Sequence, residues 1–542
     1  MSFARSVLAA FVVAASAAPL PLSCRADEVP GIQRRLEEPG AVLNVAGRIV
    51  DAALLRDFYG QRGYRPAWSG RAAEADGDRL IADLQASALA EGLPPEAYSV
   101  PPTASDADRD LLVSDAIARL GRDLALGRVP PSPAYGGAGS GAVPTSAFDP
   151  AGLLSEVAAG QPFLTAVARM DPQSDGYRDL QKALVRYRDI ARTGGWPLLP
   201  EGPALRPGQA DARVHLLRLR LMASGDLPRA SAAKGNVFDH ALAAALRRFQ
   251  ERHGLAPDGT VGKDTLAALD VTAETRVDQI EANLERRRWM PRPMEPRYIV
   301  VNIPAQTFEL HENGTVTLTM RVIVGDPKHP TPGMTTSMTA VIVNPSWTVP
   351  ASIATKEILP KLRRDPNYLA ANNMRILGAF PESSPEAEGI GVDWRRFGRT
   401  FPYRIRQRPG PDNALGRLKF YLTQSDAIYL HDTPQKSFFK RDYRALSHGC
   451  VRLEKPLDLA GRLLGPEAAG RLDKALAGKA TRTLRLDSPV PVHLVYRTAW
   501  ADPDGTVHFR EDIYGHDARL AAALKRPRPH GLAAREQAVP PL

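Results

Sequence analysis

Tyr429-Leu430-His431-Asp432-Thr433 is followed by Ser447-His448-Gly449-Cys450-Val451-Arg452, with Ser447 sixteen residues after His431. His431 ends an expected strand. Cys450 stands just before Leu453, Leu457, Leu459 and Leu463, whose spacing predicts a helix opening around Pro456. A thiol near a helix N-terminus and beside a cation has a lowered pKa, and a nearby histidine can take its proton. Gly449 permits a sharp turn that exposes the sulfur. Arg452 can pair with a carboxylate in forked geometry. His431, His448 and Cys450 could instead ligate zinc, but no further cysteine or paired carboxylate completes a familiar spacing. A buried core cysteine is the other alternative, and Ser, His, Gly and Arg are poor company for it. The residues favour a cysteine nucleophile without a metal or other cofactor.

Outward from this run, β-branched segments predict strands at 298–303, 317–324, 339–343, 418–422, 427–430, 481–486, 490–496 and 506–510. Short strands with few helices between them suggest a mainly β sandwich or barrel-like core. About 60 residues between Pro350 and Pro411 break the pattern. A segment that long more often caps or binds than merely connects.

Upstream, Val214, Leu217 and Leu221, then Leu242, Leu246 and Phe249, mark helix faces in a compact unit closed by Thr265, Leu266 and Leu269. Residues 30–199 read as mostly helical, with a Gly- and Pro-rich loop from Gly127 to Pro150. The expected architecture is multidomain α+β. Its parts are a helical scaffold domain (30–199, completed by 271–295), a three-helix module (200–270) and a β-rich domain (296–500) with a capping insertion (351–415). A C-terminal extension (501–524) and a Pro- and Arg-rich tail (525–542) follow.

Arg5, an apolar stretch from Ser6 to Leu22 and Cys24-Arg25-Ala26 have the layout of a cleaved secretory signal, 1–26. A retained anchor and a lipid-modified Cys24 are the lesser alternatives. The chain has two cysteines, so cleavage after Ala26 leaves Cys450 alone and excludes an internal disulfide. Ordinary fractions of charged (24%) and hydrophobic (44%) residues in 542 residues argue against a disordered or fibrous chain. The net charge of +10 could meet nucleic acid, a membrane face or an anionic polymer, and charge alone does not choose among them. Nucleic acid is a poor partner, because the basic residues are dispersed and the signal directs export.

The His431…Ser447-His448-Gly449-Cys450…Arg452 pattern resembles the signature of the L,D-transpeptidase (YkuD-type) catalytic domain. Phe249-Gln250, His253-Gly254-Leu255, Asp258-Gly259, Val261-Gly262 and Thr265-Leu266 resemble the small peptidoglycan-binding module. The domain order is similar to that of the large periplasmic subgroup. Phe58-Tyr59, Tyr64-Arg65-Pro66-Ala67-Trp68 and Gly92-Leu93-Pro94 match its N-terminal part. Gly325, Thr331-Pro332 and Asn344-Pro345-Ser346-Trp347 match the start of its catalytic domain. Thr498-Ala499-Trp500 and Asp512-Ile513-Tyr514 also fit, so the likeness spans roughly 45–520. Asp432-Thr433 departs from the Gly-Thr or Gly-Ser of smaller members.

The resemblance implies a periplasmic enzyme acting on peptidoglycan stem peptides and glycan, with other wall synthases as further partners and Cys450 as a carbapenem target. Cys450 would attack the bond before a terminal D-Ala, and an amine on a second stem would receive the acyl group in a 3→3 cross-link. Water or another amine as acceptor, or a non-catalytic wall-binding scaffold, are the rivals. His431 is the expected base, with the Asp432 carbonyl orienting its other nitrogen. His448 would tune the thiolate or the oxyanion region, and the N–H groups of Gly449 and Cys450 would bind the oxyanion. Ser447, Arg452, Tyr429, Trp347 and Asn344 are the expected substrate-side residues. A structural ion pair is the alternative for Arg452, and simple core packing for Trp347.

Overall fold

The computed structural model describes residues 28–37, 43–68, 74–137, 148–228, 235–398, 401–423 and 428–527. The expected signal segment, the centre of the 127–150 loop, the start of the 427–430 strand and most of the tail lie outside the described residues.

The helical domain is organised by the Asp106–Leu126 helix, which is buried along most of its length. Ser105 caps its N-terminus by accepting the Asp108 N–H at 3.2 Å. A buried carboxylate needs donors, and Asp110 receives the N–H groups of Ala67 and Trp68 and the Tyr59 hydroxyl. The aromatic residues of the N-terminal motif are thereby fastened to this helix. The Ala273–Arg288 helix packs on Asp175–Arg192, after the module in sequence but within the helical domain in space. Its Arg288, fully buried, pairs with Glu285 at 2.8 Å and donates to the Tyr177 hydroxyl at 2.8 Å.

The module contains the helices Arg213–Ala223, His240–Arg252 and Lys263–Leu269 around Val214, Leu217, Leu242, Leu246 and Phe249. Gln250 is buried and donates to Asp258, the Thr260 carbonyl and Thr265, while its carbonyl accepts the Gly259 N–H at 2.8 Å. One side chain therefore explains why these separated motif residues occur together. The module docks on the C-terminal hairpin Ala499–Ala501/Val507–Phe509. Arg252, paired with Asp226 at 2.6 Å, donates to the Val507 carbonyl, and His253 stacks between Phe249 and Phe509.

The β-rich domain is built on one nine-stranded sheet. Its strands are β1 (Arg297–Asn302), β2 (Thr307–Glu312), β3 (Thr315–Gly325), β4 (Met334–Val343), β5 (Leu418–Leu422), β6 (Leu430–His431), β7 (Ala445–Ser447), β8 (Val451–Leu453) and β9 (Arg482–Val495). The order is β7-β3-β8-β6-β5-β4-β9-β1-β2, and β2 also pairs with β3, so the pairings return on themselves. Alternation turns Val341 and Val343 of β4 inward, and a register shift against Tyr421/Leu422 brings Met338 into the same core, shared with Phe308, Phe420 and Leu494. Each such fully buried side chain contributes about 1.5–3 kcal/mol. The expected strands 481–486 and 490–496 are one strand with a register shift between Arg485 and Val490. Pro489 lies in that shift, where a residue without an N–H is tolerated.

Residues between β4 and β5 form a separate subdomain. Its sheet joins Trp347–Thr348, Arg404–Gln407 and Met374–Leu377. Its own core includes Ile358, Leu362, Leu369, Trp394 and Ile405.

Candidate active site

Three short strand ends assemble the site. Lys419 of β5 pairs with His431 of β6, and His431 pairs with Arg452 of β8. Cross-strand partners share a face, so these three side chains form a row. One step earlier, the Val451 N–H donates to the Tyr429 carbonyl at 3.1 Å, which sets Tyr429 beside Cys450. Alternation brings Tyr429 and Cys450 to the same face as the row. The Tyr429 ring meets the His431 ring edge-on at 5.6 Å, and Lys419 Nζ lies 3.8 Å from the Tyr429 ring centre.

Burial pushes the Cys450 thiol above its usual range. The Tyr429 backbone N–H, the Tyr429 hydroxyl and the charges of Lys419 and Arg452 act in the opposite direction without overcoming it. This corrects the expectation of a thiolate favoured by a helix N-terminus. The strand β8 intervenes, and the helix begins only at Pro456. The positive charges favour the thiolate once it forms, yet the resting group is a thiol.

His431 is also neutral at rest. Burial first, then the charge of Arg452, pushes it down to about 3. Its Nδ1 contacts the Asp432 carbonyl oxygen, which can only accept, so Nδ1 carries the proton and Nε2 keeps a lone pair. The Asp432 carboxylate has a different task. It accepts from the N–H groups of Arg417 and Thr433 and from Lys436, at 2.6–2.8 Å, holding the strand end to the neighbouring turn.

The turn carrying Cys450 is bound from three directions. Ser447 Oγ donates to the Cys450 carbonyl at 2.6 Å and accepts the Gly449 N–H at 3.1 Å. The Gly449 N–H is therefore engaged within the turn, which corrects its assignment as an oxyanion donor. Gly449 has φ +108°, a conformation that favours glycine. Thr331 Oγ1 donates to the Gly449 carbonyl at 2.7 Å and accepts the Gly325 N–H at 2.8 Å. From the C-terminal extension, the Tyr514 hydroxyl donates to the Gly325 carbonyl at 2.6 Å and accepts the Thr331 N–H at 3.2 Å.

His448 faces the capping subdomain. Its Nε2 lies 2.7 Å from Glu357 Oε1, and its ring sits 4.4 Å from that of His329. Glu357 belongs to the π-helical turn Ala354–Ile358, a kind of distortion frequent at functional sites. Trp347 starts the subdomain's sheet, and its side chain hydrogen-bonds the Tyr429 hydroxyl. Asn344 does not line the site. It is buried at φ +49°, donates to the Ala475 and Gly478 carbonyls and accepts from Arg417, so its polar atoms hold a turn. Arg452 donates to Gln435 at 3.0 Å and makes no ion pair among the described residues. Lys419, Thr331, Tyr514 and Glu357 were not among the site residues expected from sequence. Lys419 left a local signal, as a cation inside the apolar strand Leu418–Leu422, and Thr331 and Tyr514 fell within the matched motifs without a role assigned to them. No group of three His, Cys, Asp or Glu side chains that could hold a metal occurs among the described residues.

Residues 296–492 match the model of the L,D-transpeptidase catalytic domain, 53–184 a scaffold domain and 210–269 a "Putative peptidoglycan binding domain". A "Putative L,D-transpeptidase" of Haemophilus influenzae is 41% identical over 229 residues, covering 42% of this chain and 45% of the relative. The match thus spans less than half of that relative's length. Among solved structures, the L,D-transpeptidase from Mycobacterium smegmatis aligns at 20% identity and TM-score 0.18, covering 36% of this chain and 58% of the other. A fragment of the L,D-transpeptidase from Xylanimonas cellulosilytica aligns at 16% identity and TM-score 0.18, covering 54% and 98%. Scores this low say nothing about shared domain arrangement. The family matches and the site together establish that this chain carries a YkuD-type L,D-transpeptidase catalytic domain joined to a peptidoglycan-binding module.

Proposed function

We propose that the protein is a cysteine-dependent L,D-transpeptidase that forms 3→3 cross-links between peptidoglycan stems. The observation carrying this reading is the row of Lys419, neutral His431 and Arg452 beside Cys450, inside the matched catalytic domain. Cys450 Sγ attacks the carbonyl preceding the terminal D-Ala of a donor tetrapeptide, and its proton passes to His431 Nε2. Collapse of the tetrahedral adduct breaks the peptide bond. D-Ala leaves with that proton, and the acyl group remains as a thioester. An amine on a second stem then attacks, its proton moves to His431, and the thiol is restored as the cross-link forms. Lys419 and Arg452 stabilise the negative charge that grows on sulfur, and the Tyr429 hydroxyl is a donor for the site. No step needs a cofactor.

The circuit of strand pairings supports a barrel-like reading of the catalytic sheet. Export under a cleaved 1–26 signal would place the enzyme in the periplasm, where the module would hold it to the wall. No described helix is long and apolar enough to cross a membrane. The test is incubation with defined tetrapeptide muropeptides and product analysis by mass spectrometry, beside C450A. A dimer equal to two tetrapeptide units less one D-Ala, absent with C450A, is expected. Tripeptide monomer alone would reassign the enzyme to hydrolysis, and no Cys450-dependent product from folded protein would refute the proposal.

A further inference from the structure

Between the helical domain and the catalytic sheet lies a cavity of about 630 Å³, within the range of pockets that enclose small organic ligands. The end of the Ala273–Arg288 helix, the linker that follows it and the first two strands of the sheet line it. Met290 and Met294 supply apolar wall. Tyr298 and His311 supply a flat one, their rings stacked 4.5 Å apart at 8°. Arg287 and Arg497 both line this space.

The other charged groups around the cavity are committed elsewhere. Arg169 pairs with Glu156, and Arg292 donates to the Met170 and Ala125 carbonyls. Asp171 accepts from Gln173 at 2.5 Å. The acids whose charge acts on the two cations are also engaged: Asp179, acting on Arg287, by Lys182 at 2.8 Å, and Glu309, acting on Arg497, by His311 at 3.0 Å. Arg287 Nε is buried without a hydrogen-bond partner. Among the described residues neither guanidinium makes an ion pair or a side-chain hydrogen bond. Burial and then the like charge of Arg497 push Arg287 down to about 9. Both side chains are part-exposed at the cavity wall, and each guanidinium offers a planar fork that matches a carboxylate or a phosphate.

We propose that this cavity is a binding site for a small organic oxyanion, a carboxylate or phosphate carried on a flat or apolar body. Arg287 and Arg497 hold the charged end, and the Tyr298–His311 stack and the methionines hold the body. The proposal is independent of the chemistry at Cys450.

Calorimetric titration of the full chain with phenyl phosphate, benzoate and phenol tests it. Saturable binding of phenyl phosphate or benzoate, with phenol at least ~10-fold weaker, is expected, and the tighter of the two acids identifies the charged group. Arg287→Gln and Arg497→Gln should each weaken binding ~10-fold or more, whereas C450A should leave it unchanged. Should either arginine variant misfold, Ser174→Trp at the exposed lip narrows the cavity with both arginines intact and should also weaken binding. In the wild type, ligand should protect Arg287 and Arg497 from phenylglyoxal in peptide mapping. Absence of saturable binding by about 10 mM, equal binding of phenol, or binding that survives in the folded variants would overturn the proposal.

Discussion

The turn that carries Cys450 and the subdomain that covers it are held in opposite ways. The turn is tied from inside by Ser447, Thr331 and Tyr514, all hydrogen-bonded at buried or part-buried positions. The subdomain has its own core around Leu362 and Trp394. It meets the turn through His448 and Glu357, a pair whose side chains are 37% and 42% exposed. Buried bonds cannot be exchanged for water without leaving an unsatisfied group, whereas an exposed pair is screened and cheap to break. The backbone around Cys450 is therefore fixed by the catalytic sheet, while its ties to the cover are the exposed His448–Glu357 pair and the Trp347–Tyr429 contact.

Breaking the fixed side should have the largest effects. C450A removes the covalent step and should lower turnover by ~10³-fold or more, read as loss of both cross-linked and tripeptide products. His431→Gln should cost ~10²–10⁴-fold in kcat, because the proton of the thiol and that of the leaving amine lose their carrier. The neutral resting pair also sets a pH dependence. With the thiol raised by burial, alkylation of Cys450 by iodoacetamide should increase with pH through a midpoint above the ordinary thiol value of about 8.5. A thiolate–imidazolium pair would instead give fast alkylation already near neutrality.

Next come the groups that hold the turn. Tyr514→Phe removes the donor to the Gly325 carbonyl and the acceptor of the Thr331 N–H. It should cost about 1–3 kcal/mol of stability in denaturant unfolding and lower kcat more than it changes KM. His431 contributes to stability as well. Its folded pKa lies below the unfolded value of about 6.5, so its contribution is complete above that pH and is lost as pH falls toward about 3. The melting temperature of His431→Gln should accordingly fall less than that of the wild type on acidification from pH 7 to about 4. The smallest effect is expected on the cover. Glu357→Gln should change kcat or KM by no more than about fivefold, the scale of a surface pair worth about 1 kcal/mol. A loss as large as that of His431→Gln would end the contrast between fixed turn and loose cover.

The motif was legible because its residues are polar and contiguous at strand ends, where burial alone would have selected apolar ones. The Asp432 carbonyl could be named in advance because a backbone group accompanies any residue type, which also explains why the departure at Asp432 leaves His431 in place. The supposed helix N-terminus at Cys450 failed for a local reason. Val451 and Leu453 alternate with Arg452 and pair as a strand with β3 and β6, and the helical spacing starts only after Lys455. Thr331 and Tyr514 stand 118 and 65 residues from Gly449 along the chain, and their convergence depends on sheet order. Asn344 carried no sign in the sequence that a left-handed turn would occupy its amide.

Acyl transfer through Cys450 requires a covalent thioester on its sulfur. Intact-protein mass spectrometry after mixing the enzyme with a donor tetrapeptide and quenching in acid tests it most directly. A transient adduct equal to the donor less D-Ala, mapped to Cys450, cleaved by hydroxylamine, absent in C450A and discharged by an acceptor stem is expected. Cross-linked product formed without such an adduct, or an adduct mapped to another residue, would contradict it.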